Sequence, residues 1–249
     1  MNPRAWFFCQ CAAASLLLFG RSALLAQSVL NFETANKLYY EGKFPDAASA
    51  YEKLIKSGQV SATLYFNLGN ALFKSGQVGR AIVAYRQAEQ LNPRDPDVRA
   101  NLRFARNQVQ GPTLSSNRLN EWLARLTLNE WTLAAAAGLW SLFLLLIFTQ
   151  LRPDLKRTLR PFAMLSLIAA ILLAASAGYC FSEQRVAKTA TVIVHDALVR
   201  HGPLDTSPNA FTVHDGAELR VLGQRENWLQ VSPDPARIGW IPREEVVVW

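Results

Sequence analysis

Apolar residues recur along this chain in three different ways. Over residues 32–109 they return every three or four positions, in the stretches 32–40, 45–56, 65–74, 78–90 and 97–109. That spacing places one apolar stripe on a helix and predicts a helical array. Two later stretches, 131–151 and 161–182, carry no charge from end to end. At about 1.5 Å of rise per residue, each reaches across a hydrocarbon core of ~30 Å. Beyond residue 190 the apolar positions fall in short β-branched and aromatic runs, 191–194, 217–222, 228–231, 238–241 and 246–249. Gly202-Pro203, Asp215-Gly216, Glu226-Asn227 and Pro233-Asp234-Pro235 separate or punctuate them as turns. Five such strands predict a small barrel. The expected fold is therefore multidomain: an all-α repeat, a transmembrane helical hairpin and an all-β small barrel.

The hydrophobic stretch at the N-terminus differs from the other two. Arg4 precedes an uncharged run, 5–20, which Arg21 interrupts before small residues follow. This pattern predicts a signal peptide over 1–28, with cleavage after Ala26 or after Ser28; an uncleaved anchor is the alternative. Cys9 and Cys11 would leave with it, and Cys180 would remain, within the second long apolar stretch. Between the two long stretches, Arg152, Lys156, Arg157 and Arg160 stand against one acid, Asp154. Basic connections stay on the cytoplasmic side, so 152–160 is expected there. Residues 29–130 and 186–249 are then expected on the outer face of the inner membrane, the side an export signal also predicts. The segment 111–130 is expected to be a linker with a short helix. Its Leu119, Trp122, Leu123 and Leu126 either lie in the membrane interface or pack on the exported domain.

Composition agrees with this division. Half of the residues are hydrophobic and only 18% are charged, below the roughly 25% of a soluble domain. The net charge of +7 is spread out: +2 over 1–28, +4 over 29–110, zero over 111–130, +3 over 131–182 and −2 over 183–249. No region has the dense basic face that phosphate backbones require, which argues against a nucleic-acid partner.

Within the helical region the chain repeats itself at a fixed offset. Phe32 pairs with Phe66, Asn36 with Asn70, Leu38 with Leu72, Gly42 with Gly76, Ala47 with Ala81, Ala50 with Ala84 and Tyr51 with Tyr85. The offset equals the period of the tetratricopeptide repeat, about 34 residues. The second unit, 62–95, resembles that family through Tyr65, Leu68, Gly69, Leu72, Gly76, Ala81, Tyr85, Ala88 and Pro93. The first, 28–61, has Thr34, Ala35 and Gln59 where the family has leucine, glycine and proline. Residues 97–109 are expected to form the solvated helix that ends such an array. The resemblance implies a groove that binds peptides or partner domains, faced by Asn36, Asn70 and Lys74 with Tyr39 and Phe73 beside them.

The last region carries 198–203, Val213-His214-Asp215-Gly216, Asn227-Trp228-Leu229-Gln230-Val231 and Gly239-Trp240-Ile241-Pro242, in that order. These stretches resemble the bacterial SH3-like domain. The resemblance implies a module that binds peptides or cell-wall material, with Trp228 and Trp240 across one edge.

No catalytic constellation emerges. His195, His201 and His214 lack zinc-ligand spacing. There is no glycine-rich phosphate loop and no Gly-x-Ser-x-Gly elbow. No catalytic, cofactor or metal residue is assigned. The whole order of parts resembles the BatE-like family of the Bacteroides aerotolerance operon. That resemblance implies a non-enzymatic envelope scaffold and, as partners, envelope proteins such as membrane proteins with von Willebrand A-type domains. A peptidoglycan-binding sensor or tether, using the SH3-like region, is the alternative.

Overall fold

Several helices of the array start or stop where the sequence supplies the chemistry for it. The protein is described by a computed structural model covering residues 31–109, 118–123, 126–186 and 188–249. The expected signal segment 1–28, with Cys9 and Cys11, lies outside the described residues, as do Gln110-Gly111-Pro112 and Ser115-Ser116. A first helix, α1, occupies 31–40, followed by α2 (Phe44–Lys56), α3 (Ala62–Lys74), α4 (Val78–Leu91) and α5 (Pro96–Asn107). Gly42 and Gly76 close α1 and α3 with φ of +76° and +80°; only glycine takes that left-handed turn without strain. Ser61 Oγ accepts the Leu64 amide at 3.1 Å to start α3, and Asp95 accepts the Asp97 and Val98 amides to start α5.

The helices pack through small residues at repeating positions. Ala35, Ala47, Ala71, Ala81 and Ala88 are fully buried, and Tyr51 and Tyr85 fill the space beyond them. Gly69 is the tightest of these sites: a Cβ there would lie 2.6 Å from the Tyr85 ring. The first unit, with Ala35 in the matching place, packs an equally buried core. One expectation fails at α5. Its Arg106 is not a solvated end residue but is paired with Glu218 of the C-terminal region.

Two long apolar helices follow, α7 (Leu128–Leu151) and α8 (Lys156–Val186), preceded by the short α6 (Arg118–Leu123). Thr127 and Glu130 form a reciprocal capping box at the head of α7. The Trp131 indole N–H donates to the Leu123 carbonyl at 3.0 Å, and Leu123, Trp131 and Ala177 bury one another. Leu123 and Trp131 are thus folded together onto the Ala177 end of the helix pair. Lower down, Gly138 faces the Ala170 backbone and Ser141 Oγ lies 2.6 Å from Ser166 Oγ. Both helices are long and apolar enough to cross a membrane. They are longer than the uncharged stretches. Lys156, Arg157 and Arg160, expected in the connection 152–160, sit in the first turns of α8, and only the 3₁₀ turn Pro153–Leu155 joins the pair. Charged side chains are good helix formers, so a charge ends an apolar stretch without ending a helix.

The C-terminal region is an antiparallel sheet of seven strands: β1 (Thr189–Val192), β2 (Asp196–Arg200), β3 (Asn209–His214), β4 (Glu218–Arg225), β5 (Trp228–Asp234), β6 (Arg237–Pro242) and β7 (Val246–Val248). The order is β3-β2-β6-β5-β4-β1-β7, so β3 and β7 are open edges rather than partners. Where a small barrel of five strands was expected, the region is an antiparallel sheet of seven strands with open edges. Strand β2 escapes the sequence pattern because Asp196 and Arg200 bound only three apolar residues, and β3 because Asn209, Thr212 and His214 break up its apolar ones. One core nevertheless draws on all seven strands, from Ala190 and Val192 through Val199, Val213, Leu219, Val231 and Ile241 to Val246. The sheet must therefore bend over on itself.

Candidate binding surfaces

The repeated asparagines are held in a ladder between helices. Asn36 Oδ1 accepts the Tyr51 hydroxyl at 2.6 Å and the Asn67 amide at 3.2 Å. Asn70 Oδ1, one repeat later, accepts the Tyr85 hydroxyl at 2.7 Å and the Asn101 amide at 2.8 Å. Each rung joins the first helix of one unit, the second helix of that unit and the next helix along. Burial raises the pKa of both tyrosines, that of Tyr51 to about 12, with Tyr40 adding to the effect at Tyr51. Both hydroxyls therefore stay protonated and donate.

Aromatic rings flank the ladder. Tyr39 is half-buried between Tyr40, at 6.1 Å, and Phe44, at 5.3 Å. Burial, and then Tyr40, raise its pKa as well. Phe73 packs on Phe104 with ring centroids 5.5 Å apart. Tyr40 is 85% exposed and Phe104 is 56% exposed, beside exposed Lys74. Of the five residues expected on this face, Lys74 is open to solvent, Tyr39 and Phe73 are partly covered, and Asn36 and Asn70 have their amide oxygens engaged in the ladder. Sequence reasoning missed Tyr40, Phe104, Asn67 and Asn101. The last two were legible, since Asn101 follows Asn67 by the same repeat interval.

A second concavity lies on the sheet. It encloses about 570 Å³ and is lined by Asp205, Asn227, Trp228, Pro242, Arg243 and Glu244. The β4–β5 turn presents Trp228: Arg225 pairs with Trp228 across a two-residue loop in which Glu226 takes a φ of +52°. Trp228 also pairs with Pro242 on β6. The Arg200 guanidinium lies 6.0 Å from the Trp228 ring and donates to the Asp205 and Ser207 carbonyls. Glu245, beside the cleft, has its pKa raised by burial and then by Glu244, with Arg200 opposing. Its Oε2 is buried with no hydrogen-bond partner among the described residues. Trp240 is half-buried on β6, opposite Gln230 and Arg200, and is not part of the cleft lining. An aromatic floor with acidic and basic groups at its rim suits a polar ligand with a flat or apolar face.

The histidines do not assemble into a metal centre. His214 Nδ1 lies 2.6 Å from Asp196 Oδ1, and His195 Nε2 lies 3.8 Å from Asp196 Oδ2, all on exposed side chains. Among the described residues no three histidine, cysteine or acidic groups are placed to hold a metal ion.

Comparison with known proteins identifies part of this architecture. The tetratricopeptide repeat family model matches residues 32–96, from α1 to the start of α5. No curated protein matches the chain.

Proposed function

We propose that this protein is a non-enzymatic scaffold of the bacterial envelope, anchored by α7 and α8 and binding protein partners through the aromatic face of its helical repeats. The observation that carries the reading is the set of exposed or half-exposed rings, Tyr40, Phe73 and Phe104, on a tetratricopeptide array. Rigid aromatic side chains give large contact areas at low entropic cost, which is why they dominate protein interfaces. Membrane anchoring is supported by the uncovered apolar side chains on α7 and α8, among them Leu133, Trp140, Phe143, Leu165 and Ile171. A soluble hairpin of this length would bury such a surface.

The basic bend supports placing both soluble regions on the outer face, and the contact between the regions supports placing them on the same side. The Gly79 amide donates to Asp215 Oδ1 at 3.0 Å, a bond that needs α4 and the sheet on one side of the bilayer. An SH3-like ancestry of the sheet and a BatE-like place in a stress-related envelope complex, with von Willebrand A-type membrane proteins as partners, extend the same proposal. The test is capture from detergent-solubilised envelopes by the full chain, set against a Phe73→Ala/Phe104→Ala variant. Partners retained by the parent and lost by the variant are expected; identical profiles would refute the aromatic face as the binding surface.

The Trp228 cleft favours a second reading, in which the sheet grips cell-wall material. Full chain in detergent, sedimented with insoluble wall, is then retained through Trp228, and Trp228→Ala releases it. Absence of retention by the parent removes this reading and leaves the first untouched.

A further inference from the structure

The contact between the array and the sheet contains features that neither region explains alone. Helix α4 starts at Gln77, which makes no side-chain cap of its own. Its missing cap comes from a distant part of the chain: Asp215 Oδ1 accepts the Gly79 amide at 3.0 Å. An amide in the first turn has no acceptor within its own helix, so an outside carboxylate there completes the helix and meets its positive end. Burial raises the Asp215 pKa, while the Gly79 and Val78 amides pull it down.

Gly79 itself is in helical backbone and needs no glycine for conformation. The first unit has Pro45 in the same place. The reason for glycine is space: a Cβ at 79 would overlap the Val192 carbonyl oxygen and Asp215 Oδ1. The fit is reciprocal. A Cβ on Gly216 would lie 2.6 Å from Val109 Cγ2 and 3.1 Å from Ile82 Cδ1. Val109 belongs to the edges of both hydrophobic cores.

Around this apolar seat lies a partly buried ionic cluster centred on Glu218. Glu218, only 9% exposed, is 2.6 Å from Arg106 Nη2 and 3.6 Å from Arg86 Nε. Arg86 also reaches Glu89 at 2.8 Å and lies 4.5 Å over the Trp249 ring. Arg106 stands one repeat interval after Leu72, which is buried within the second unit. A core leucine in one unit has become, in the next, an arginine that faces the sheet.

We propose that the C-terminal sheet is the end cap of the repeat array, a partner within the same chain seated on α4 and α5, which locks the two ends of the membrane hairpin into one body. The seat is Val78, Gly79, Ile82, Arg86, Arg106 and Val109, and its occupant is the β1–β4 side of the sheet. This face of the array is closed to other proteins while the cap is on, so partners are left the aromatic face. The inference is independent of what that face binds.

Hydrogen exchange on the full chain in detergent tests the proposal. For a free helix, Gly79→Ala is stabilising, because alanine is the better helix former. For a capped array, the same change drives the sheet off. The expected result is exchange about tenfold faster in the first turn of α4, in α5 and around Gly216–Leu219, with α1 and α2 unchanged. Unchanged or slower exchange at those sites overturns the proposal. Glu218→Arg gives a second arm. It is expected to speed exchange in α5, and Arg106→Glu added to it is expected to restore much of the protection by reversing the pair. A double variant no better protected than Glu218→Arg also overturns it.

Discussion

Replacing Asn70 by alanine tests whether the asparagine ladder holds the array together. Asn70 Oδ1 takes two hydrogen bonds, from the Tyr85 hydroxyl at 2.7 Å and the Asn101 amide at 2.8 Å. Tyr85 is buried, so its hydroxyl has no water to turn to once the acceptor is gone. Leaving a buried polar group unpaired costs about 1–3 kcal/mol, whereas a hydrogen bond removed together with its donor costs about 1 kcal/mol. Asn70→Ala is therefore expected to cost about 2–4 kcal/mol. Tyr85→Phe, which leaves Asn70 still bonded to Asn101, is expected to cost about 1 kcal/mol. In the double variant the hydroxyl is absent, and the cost falls short of the sum by about 1 kcal/mol. In a domain of this size a change of about 1 kcal/mol moves the melting temperature by about 4–8 °C. Thermal proteolysis of the full chain, followed through fragments of α3 and α4, resolves such shifts. If Asn70→Ala costs no more than Tyr85→Phe, or if the two costs simply add, the ladder is not what joins the units.

Two further outcomes follow from other parts of the molecule. The pKa of Tyr51 is raised from 10.0 to about 12 by burial, so the folded state holds its proton more tightly than the unfolded chain. That contribution is complete below the unfolded value and is lost as pH rises towards the folded one; Tyr51→Phe should flatten this alkaline decline in thermal proteolysis, and an unchanged slope would contradict it. Ser141 Oγ and Ser166 Oγ are 2.6 Å apart, so a Ser141→Cys/Ser166→Cys pair should oxidise to an intrachain disulfide in membranes, read as a mobility shift on a non-reducing gel. No shift would mean that α7 and α8 do not pack as described.

The parts legible in the sequence were those set by local rules. The repeat declared itself because Gly42 and Gly76, Ala47 and Ala81, and Tyr51 and Tyr85 each do one steric job twice at a fixed interval. The apolar helices were equally plain, yet their ends were not, since Lys156, Arg157 and Arg160 stop an uncharged stretch but continue a helix. Strand β2 was hidden because Asp196 and Arg200 bound only three apolar residues, and β3 because polar Asn209, Thr212 and His214 interrupt its apolar run. The ladder made by the asparagines was not legible from their own spacing, because an amide on a groove and an amide bridging two helices recur at the same interval; Asn67 and Asn101, also one interval apart, supply the partners. The seam between array and sheet was out of reach altogether. Gly79 and Asp215 are each unremarkable in their own surroundings, and nothing local reveals that one needs the other.

Glu130 has consequences beyond capping α7. The same carboxylate that closes the capping box with Thr127 also binds Arg94, in the turn between α4 and α5. Arg94 is the corner of the repeat array that touches the head of the first long helix. That ion pair joins the array to the first turn of α7, through an arginine side chain that is itself largely exposed. With the sheet joined to both the array and the end of α8, the chain closes into a ring of which the helix pair is one side. A tug on any bound partner would then twist the helix pair as a unit instead of pulling one helix past the other.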